Sequence, residues 1–326
     1  MKIGFIDVDN YKNLDGCFPN IPLMKLAAWH IKQGDTVGWY DPMFGGHYDK
    51  VYMSKVFSFT EDYPFPINAD VIEKGGSGYC ISLIDGKEVF DKEKHKDLPQ
   101  EIEHIYPYYE LYGITDTAYG FTSRGCPRNC DFCIVSKKES RCSHKVADLK
   151  EFWNGQKYIE LLDPNTLACA EWKDILQQLV DSKAWVNFNQ GVDIRLMTKE
   201  KAEMFRQVKV KHVHFAFDKW EDREIVQPRL KEFAEITGWD RHKVTVYVLC
   251  GFKAKKVLQE DLDRILFIRN VCGFHPYVML YDKEHLPRGH ELKQLQRWVN
   301  NKFIFMRCAT FEDYLKGNTQ EGAAEQ

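Results

Sequence analysis

The sequence lacks long apolar runs and an excess of charge of either sign. No stretch approaches the roughly 18 consecutive apolar residues of a membrane-spanning helix, so we expect no membrane segment. The 45 Lys and Arg residues nearly balance the 48 Asp and Glu residues, which argues against a general polyanion-binding protein. An acid, Asp7, interrupts the N-terminal apolar stretch before the core of a signal peptide can form, and we therefore expect a cytoplasmic protein.

Cysteine is too sparse for a disulfide scaffold. There are 10 cysteines in 326 residues, and a cytosolic chain keeps its thiols reduced. We therefore interpret them as metal ligands, nucleophiles or small core residues. Hydrophobic residues make up 44% of the chain and charged residues 29%, which is typical of a globular protein of one large or two ordinary domains.

The first part of the chain has the pattern of a small open α/β domain. A helix is predicted from Ile21 to about Gln33, because its apolar residues share one face and Gly34 ends it. Strands are predicted at 2–9, 35–41, 50–57 and 70–79. With the charge-dense connection at 85–104, this Rossmann-like domain and its linker occupy residues 1–112.

A regular alternation of strands and helices follows over residues 113–285. The predicted strands lie at 117–123, 157–162, 185–190, 212–218, 243–250 and 276–281. Such alternation predicts parallel βα units, and six of them form a partial barrel or an open sheet. In either case we expect chemistry at the C-terminal ends of the strands. Residues 286–326 are predicted to be a C-terminal extension with a frayed tail.

Three cysteines fall within eight residues just after the first of these six strands. Cys126, Cys130 and Cys133 have C-x₃-C-x₂-C spacing, which chance produces in about one such chain in a hundred. Three thiolates on one loop can hold three irons of a [4Fe–4S] cluster, and the absence of a local fourth cysteine leaves one iron open. The alternative is a zinc site, which usually needs a second ligand pair, and the sequence has no second CxxC or HxxxH.

The segment from Tyr119 to Cys133, with the aromatic Phe132 before its last cysteine, resembles the cluster loop of the radical S-adenosylmethionine superfamily. The resemblance extends over about 115–285 and implies a partial (β/α)₆ barrel. It implies an enzyme whose [4Fe–4S] cluster reductively cleaves S-adenosylmethionine to a 5′-deoxyadenosyl radical, which abstracts hydrogen from a substrate. The whole chain resembles bacterial and phage-associated members without an assigned substrate, so a small molecule, a nucleic acid and a peptide all stay open.

The same resemblance assigns cofactor contacts to residues at the strand ends. The matching positions are Phe132, near the adenine, and Asp163, Asn165, Gln190, Asp193, Arg195 and Asp218. Asp163 or Asn165 replaces the usual glycine-glycine-glutamate motif and would accept from the methionyl ammonium. Arg195 would pair with the methionyl carboxylate, because a guanidinium binds a carboxylate with two hydrogen bonds. Asp218 would bind the ribose hydroxyls, and a helix cap or turn acid is the alternative for each of these positions.

Other features of the superfamily are missing or weak. The first domain resembles a cobalamin-binding-like domain in strand order and in the glycine turn 75–79, but it has no D-x-H-x-x-G motif, so we expect no cobalamin. Only Cys17 and Cys80 precede Cys126, which argues against the second cluster of methylthiolating members. Cys142, beside cations, is a candidate for a redox or hydrogen-donating thiol, with a packed thiol as the alternative.

Positive charge is concentrated around the cysteine loop. Residues 124–150 carry seven Lys or Arg against three Asp or Glu. Part of this charge compensates the thiolates, and the rest predicts docking of an acidic electron donor such as flavodoxin or ferredoxin. A solvated basic surface is the alternative. The second functional hypothesis is a non-catalytic iron–sulfur protein for electron transfer or redox sensing.

Overall fold

The structure is a computed structural model that describes residues 1–84 and 87–323. It divides into two units, Met1–Glu171 and Trp172–Gln326. None of the described helices is long and apolar enough to cross a membrane. The domain limits derived from the sequence, after residues 112 and 285, stay predictions.

The first unit begins with a sheet of four parallel strands in the order β2-β1-β3-β4. Its elements are β1 (Lys2–Asp7), α1 (Ile21–Lys32), β2 (Thr36–Trp39), β3 (Tyr48–Ser54) and β4 (Ala69–Gly75). Helix α1 begins where the Asn20 side chain accepts a hydrogen bond from the Leu23 N–H, and Pro22 occupies its first turn. The four predicted strands and the predicted helix are therefore all present; each ends earlier than predicted, and β3 and β4 also begin slightly earlier.

Two apolar clusters hold this sheet together. One cluster contains Ile3 and Phe5 of β1, Tyr52 of β3 and Leu23, Leu26 and Ala27 of α1, together with Ile102 and Leu111. Ile6 of β1 and Val51 and Met53 of β3 have the opposite parity, and they form a second cluster with Val8 and Tyr48. Because side chains alternate across a strand, β1 and β3 are buried on both faces, as expected for central strands of a parallel sheet.

Short elements follow the first sheet. They are the antiparallel pair β5 (Ile81–Ile84) and β6 (Lys87–Phe90), then α2 (Gln100–Glu103). The segment 85–104, predicted as a solvated connection, therefore contains β6 and α2, and residues 85 and 86 lie outside the described part of the chain.

The second sheet contains six parallel strands in the order β14-β13-β12-β11-β10-β7. The first unit contributes strands β7 (Thr117–Gly120) and β10 (Tyr158–Leu161) to this sheet. Between them lie β8 (Ser123–Arg124), α3 (Val135–Lys138) and β9 (His144–Lys145). In the second unit the elements are α4 (Trp172–Ser182), β11 (Trp185–Phe188), α5 (Lys199–Gln207), β12 (Val210–Ala216), α6 (Arg223–Thr237), β13 (Val244–Cys250), α7 (Gln259–Asn270) and β14 (His275–Leu280). The predicted α/β class and parallel pairing are confirmed, whereas closure into a partial barrel stays a prediction.

The C-terminal extension is helical. It consists of α8 (Glu291–Asn300), α9 (Lys302–Arg307) and α10 (Phe311–Ala323). Trp298 is fully buried and contacts the rings of Phe305 and Phe311. The tail predicted to fray, 317–326, is helical up to Ala323, and its last three residues lie outside the described part of the chain.

Candidate functional site

The three cysteines of the C-x₃-C-x₂-C motif lie on a loop closed by a short antiparallel pair. Strand β8 pairs with β9, so the two ends of the loop 125–143 lie side by side after β7. The Cys126 N–H donates to the Ser140 carbonyl oxygen at 3.0 Å, and the Cys133 N–H donates to the Cys130 carbonyl oxygen at 3.0 Å. The second bond forms a turn, so backbone hydrogen bonds help to set the positions of these cysteines.

Gly125 is required for the backbone path into this loop. Its φ is +85°, and a Cβ at this position would lie 2.2 Å from the Cys142 carbonyl oxygen. Its N–H donates to the Glu139 carboxylate at 2.7 Å, and the same carboxylate accepts from the Arg124 guanidinium at 3.1 Å. Glu139 therefore joins the two ends of the loop, and no side chain is tolerated between them.

Replacing Gly125 by Ala is expected to destabilise the chain by about 2–3 kcal/mol, because left-handed strain of about 1 kcal/mol adds to a backbone clash. Gly113 is a matched control: its φ is +65°, but a Cβ there would meet nothing within 4 Å. Gly113→Ala should cost only the strain, about 1 kcal/mol. Urea denaturation of both variants measures the difference, and equal losses would contradict the steric role of Gly125.

Asp163 ties the end of β10 to the end of β7. It is 3% exposed, and its Oδ1 accepts from the Thr122 N–H at 2.7 Å. Its Oδ2 accepts from the Thr122 hydroxyl, the Ser123 N–H and the Ser123 hydroxyl at 2.6, 2.9 and 2.6 Å, and from the Thr166 hydroxyl at 3.3 Å. Burial raises the pKa of Asp163, and the bonds from Ser123 and Thr122 oppose that rise.

Five hydrogen bonds therefore meet this carboxylate, four on Oδ2 and one on Oδ1, so Asp163 positions the strand ends. It holds the segment that enters the cysteine loop and the segment that carries Asn165. Its predicted contact with a methionyl ammonium stays a prediction.

Asn165 contacts the cysteine loop directly. It is 2% exposed, and its Nδ2 donates to the Cys126 Sγ at 3.5 Å. Its Oδ1 is buried and accepts no hydrogen bond within the described chain. Buried polar atoms without a protein partner are rare, and a water, an ion or a catalytic role can account for them. The side-chain amide therefore offers an acceptor beside one predicted cluster ligand.

The three thiols of the motif are all half-buried. Within residues 1–84 and 87–323, no group of three or more His, Cys, Asp or Glu side chains is placed to hold a metal ion. The fit to an iron–sulfur cluster therefore rests on the donor set, which consists of three soft sulfur ligands on one loop with an unpartnered amide oxygen beside them. Phe132, predicted to lie near an adenine, is half-buried on the same loop.

In the second unit, Arg195 lies between two carboxylates of its own chain. Its guanidinium donates to Asp193 at 2.8 and 3.3 Å and to Asp222 at 2.7 Å. Asp193 also accepts from the Arg195 N–H, so it caps the short turn that carries Arg195. A methionyl carboxylate would compete with these acids for the guanidinium. The sequence offered no sign of Asp222, because it precedes α6 and resembles an ordinary acid at a helix start.

Asp218 follows β12, and polar groups surround it at the end of that strand. It accepts the Leu249 N–H at 3.1 Å, and burial raises its pKa to about 6 although two arginines, Arg264 and Arg195, oppose the rise. Arg264, which sequence reasoning did not single out, is buried and donates to the carbonyl oxygens of Phe217 and Leu249. Gln190, by contrast, is exposed just after β11. The ribose role of Asp218 and the cofactor roles of Gln190, Asp193 and Arg195 stay predictions.

Cys142 is exposed rather than packed, and its carbonyl oxygen accepts from the His144 ring at 3.2 Å.

The glycine turn near the end of β4 packs against the residues that follow β3. The Gly78 N–H donates to the Lys55 carbonyl oxygen at 2.8 Å, and a Cβ on Gly76 would lie 2.3 Å from that oxygen. These glycines therefore permit a close backbone approach within the domain.

No protein-family model matches this sequence, and the comparison with curated proteins found no match. The resemblance to the radical S-adenosylmethionine superfamily therefore rests on the residues of the cysteine loop and on the elements around it.

Proposed function

We propose that the chain is a radical S-adenosylmethionine enzyme. The observation that carries the proposal is the C-x₃-C-x₂-C loop together with Asn165, whose amide contacts Cys126 and keeps a buried acceptor unused by the described residues. The loop follows β7, the first strand of a six-stranded parallel sheet, which is where βα folds carry their chemistry. The six strands lie in the sheet in the same order as in the sequence, which supports the proposal that they form a partial (β/α)₆ barrel.

In this proposal the protein residues bind and orient. Cys126, Cys130 and Cys133 hold a [4Fe–4S] cluster, which when bound supplies one electron and an open iron for reductive cleavage of S-adenosylmethionine to a 5′-deoxyadenosyl radical. Asn165 accepts a hydrogen bond from the methionyl ammonium through Oδ1, while its Nδ2 stays on the Cys126 sulfur. Asp163 holds both strand ends in place.

An acidic electron donor such as flavodoxin or ferredoxin is the proposed protein partner. Lys137 and Arg141 are exposed on the cysteine loop, so they can meet an acidic surface near the thiols. Burial lowers the pKa of the neighbouring Lys138, which makes it the weaker contributor to docking. The substrate of the radical is a small molecule, a nucleic acid or a peptide.

The test is anaerobic reconstitution with iron and sulfide, followed by reduction in the presence of S-adenosylmethionine. Formation of 5′-deoxyadenosine supports the enzyme. A redox-active cluster that yields none would instead indicate an electron-transfer or sensing protein, and a colourless protein that retains zinc would indicate a zinc site. Each of these two results overturns the proposal.

Asn165→Leu is expected to weaken S-adenosylmethionine binding about 10- to 100-fold, because a hydrogen bond to a charged ammonium contributes roughly 1.5–3 kcal/mol. Cluster content should stay close to that of the unchanged protein, because Asn165 donates no ligand to iron. Asn165→Asp retains an acceptor oxygen and should bind the nucleoside better than Asn165→Leu. Equilibrium dialysis of the reconstituted proteins measures both affinities, and equal affinities for Asn165→Leu and the unchanged protein would remove Asn165 from the site.

A further inference from the structure

Strand β4 forms an open edge of the first sheet. Among the described residues it pairs with β3 on one side and with no strand on the other. Its five central residues, 70–74, are all exposed, including Val71 at 51% and Ile72 at 45%. The strand is seven residues long and contains no proline, so two common devices that protect an edge from pairing are missing.

Some backbone N–H and C=O groups of β4 are directed outward at this edge. The Lys55 N–H donates to the Gly75 carbonyl oxygen at 3.1 Å, which sets the phase of the ladder between β3 and the second half of β4. A parallel ladder uses every second residue, so Val71, Glu73 and Gly75 direct their backbone groups toward β3. Ile72 and Lys74 consequently direct their N–H and C=O groups away from the sheet.

The side chains of β4 are complementary to a second, antiparallel copy of the same strand. With a two-fold axis at Ile72, Asp70 lies opposite Lys74 of the second copy, and Ile72 lies opposite itself. Ile72 is then a hydrogen-bonded position, so the two copies exchange backbone bonds there, while the directly opposed Asp and Lys side chains form ion pairs across the strands. Moving the axis to Glu73 would set two glutamates opposite each other, and moving it to Val71 would lose the Asp–Lys pairs.

We propose that two copies of the chain associate through β4 in this register, which joins their first sheets into one continuous sheet. This interaction is separate from the proposed enzymatic function. The charged residues are available for it because their present partners are exposed: Asp70 contacts His47 at 3.0 Å and Lys74 contacts Asp62 at 2.6 Å. Such exposed pairs contribute little free energy, so exchanging them across the interface costs little.

Neighbouring aromatic residues provide further apolar area. Phe57 and Phe59 stack with ring centroids 5.2 Å apart and are 52% and 82% exposed. They belong to the same segment as Asp62, whose carboxylate bonds to Lys74 and to the Tyr79 hydroxyl at 2.6 Å. One strand pair alone is small for a stable interface, and in the proposed dimer these exposed rings supply further apolar area.

The test is sedimentation velocity of the full chain over a range of concentrations, with two charge variants. Asp70→Lys places lysines opposite each other, and Lys74→Asp places aspartates opposite each other. Each variant should raise the dissociation constant of the dimer by about tenfold or more, because like charges directly opposite are unfavourable. An equimolar mixture of the two should recover dimerisation, and so should the double variant Asp70→Lys/Lys74→Asp.

The controls are Glu235→Lys and Lys231→Asp, which make the same changes in net charge at an exposed pair on α6. They should leave the dissociation constant unchanged, and circular dichroism should show that all variants are folded. The proposal is overturned by a monomeric unchanged protein at every concentration, by a dimer indifferent to both β4 variants, or by single variants that dissociate and do not recover when mixed.

Discussion

Serine in place of Cys126, Cys130 or Cys133 is expected to abolish the iron–sulfur chromophore of the reconstituted protein. A neutral hydroxyl is a poor substitute for a soft thiolate, and the C-x₃-C-x₂-C motif supplies only three cysteines. Iron and acid-labile sulfide should fall from about four of each per chain to near zero in every single variant. Visible absorbance after anaerobic reconstitution, with iron and sulfide determination, measures the effect.

Cys17→Ser and Cys80→Ser are the matched controls, because both thiols belong to the first unit and lie outside the loop. Each should retain the full chromophore. Retention in all three loop variants would refute the ligand assignment. Loss in either control would instead reopen the possibility of a second cluster in the first domain.

Asp163→Ala is expected to lower the free energy of unfolding by about 3–5 kcal/mol, the range for breaking a buried charged network. The substitution removes a carboxylate that accepts five hydrogen bonds, and it leaves the donors of Thr122 and Ser123 buried without a partner. Asp163→Asn should lose less because it retains one acceptor oxygen and the shape of the side chain. Urea denaturation of the cluster-free proteins measures both.

Asp181→Ala is the control for this series, since Asp181 is an exposed acid on α4 that bonds only to Gln177 among the contacts described. It should change the free energy of unfolding by less than about 0.5 kcal/mol. If Asp163→Ala costs no more than this control, Asp163 does not hold the strand ends, and the assignment of its carboxylate to positioning is wrong.

The strands were predictable because burial leaves a local pattern. On β12, Val213 and Phe215 are buried while their neighbours are less so, which is the alternation visible in the sequence. The helix predicted from Ile21 to about Gln33 is found at Ile21–Lys32, since its apolar face and the glycine after it are local signals.

The candidate site was predictable only where its residues are close in sequence. The cysteine spacing is visible in eight consecutive residues, whereas the Asp163 network joins residues 40 positions apart. The partner of Arg195 is similarly remote: Asp222 lies 27 positions along the chain. Contacts of this kind depend on which strand ends the fold brings together, and a single sequence carries no pattern for them.

Electron paramagnetic resonance of the reduced, reconstituted protein, recorded without and with S-adenosylmethionine, tests the central claim most directly. The account predicts the signal of a reduced [4Fe–4S] cluster whose g-values shift when the nucleoside is added, because one iron lacks a cysteine ligand and is open to it. The absence of such a cluster, or a signal that the nucleoside leaves unchanged, would contradict it.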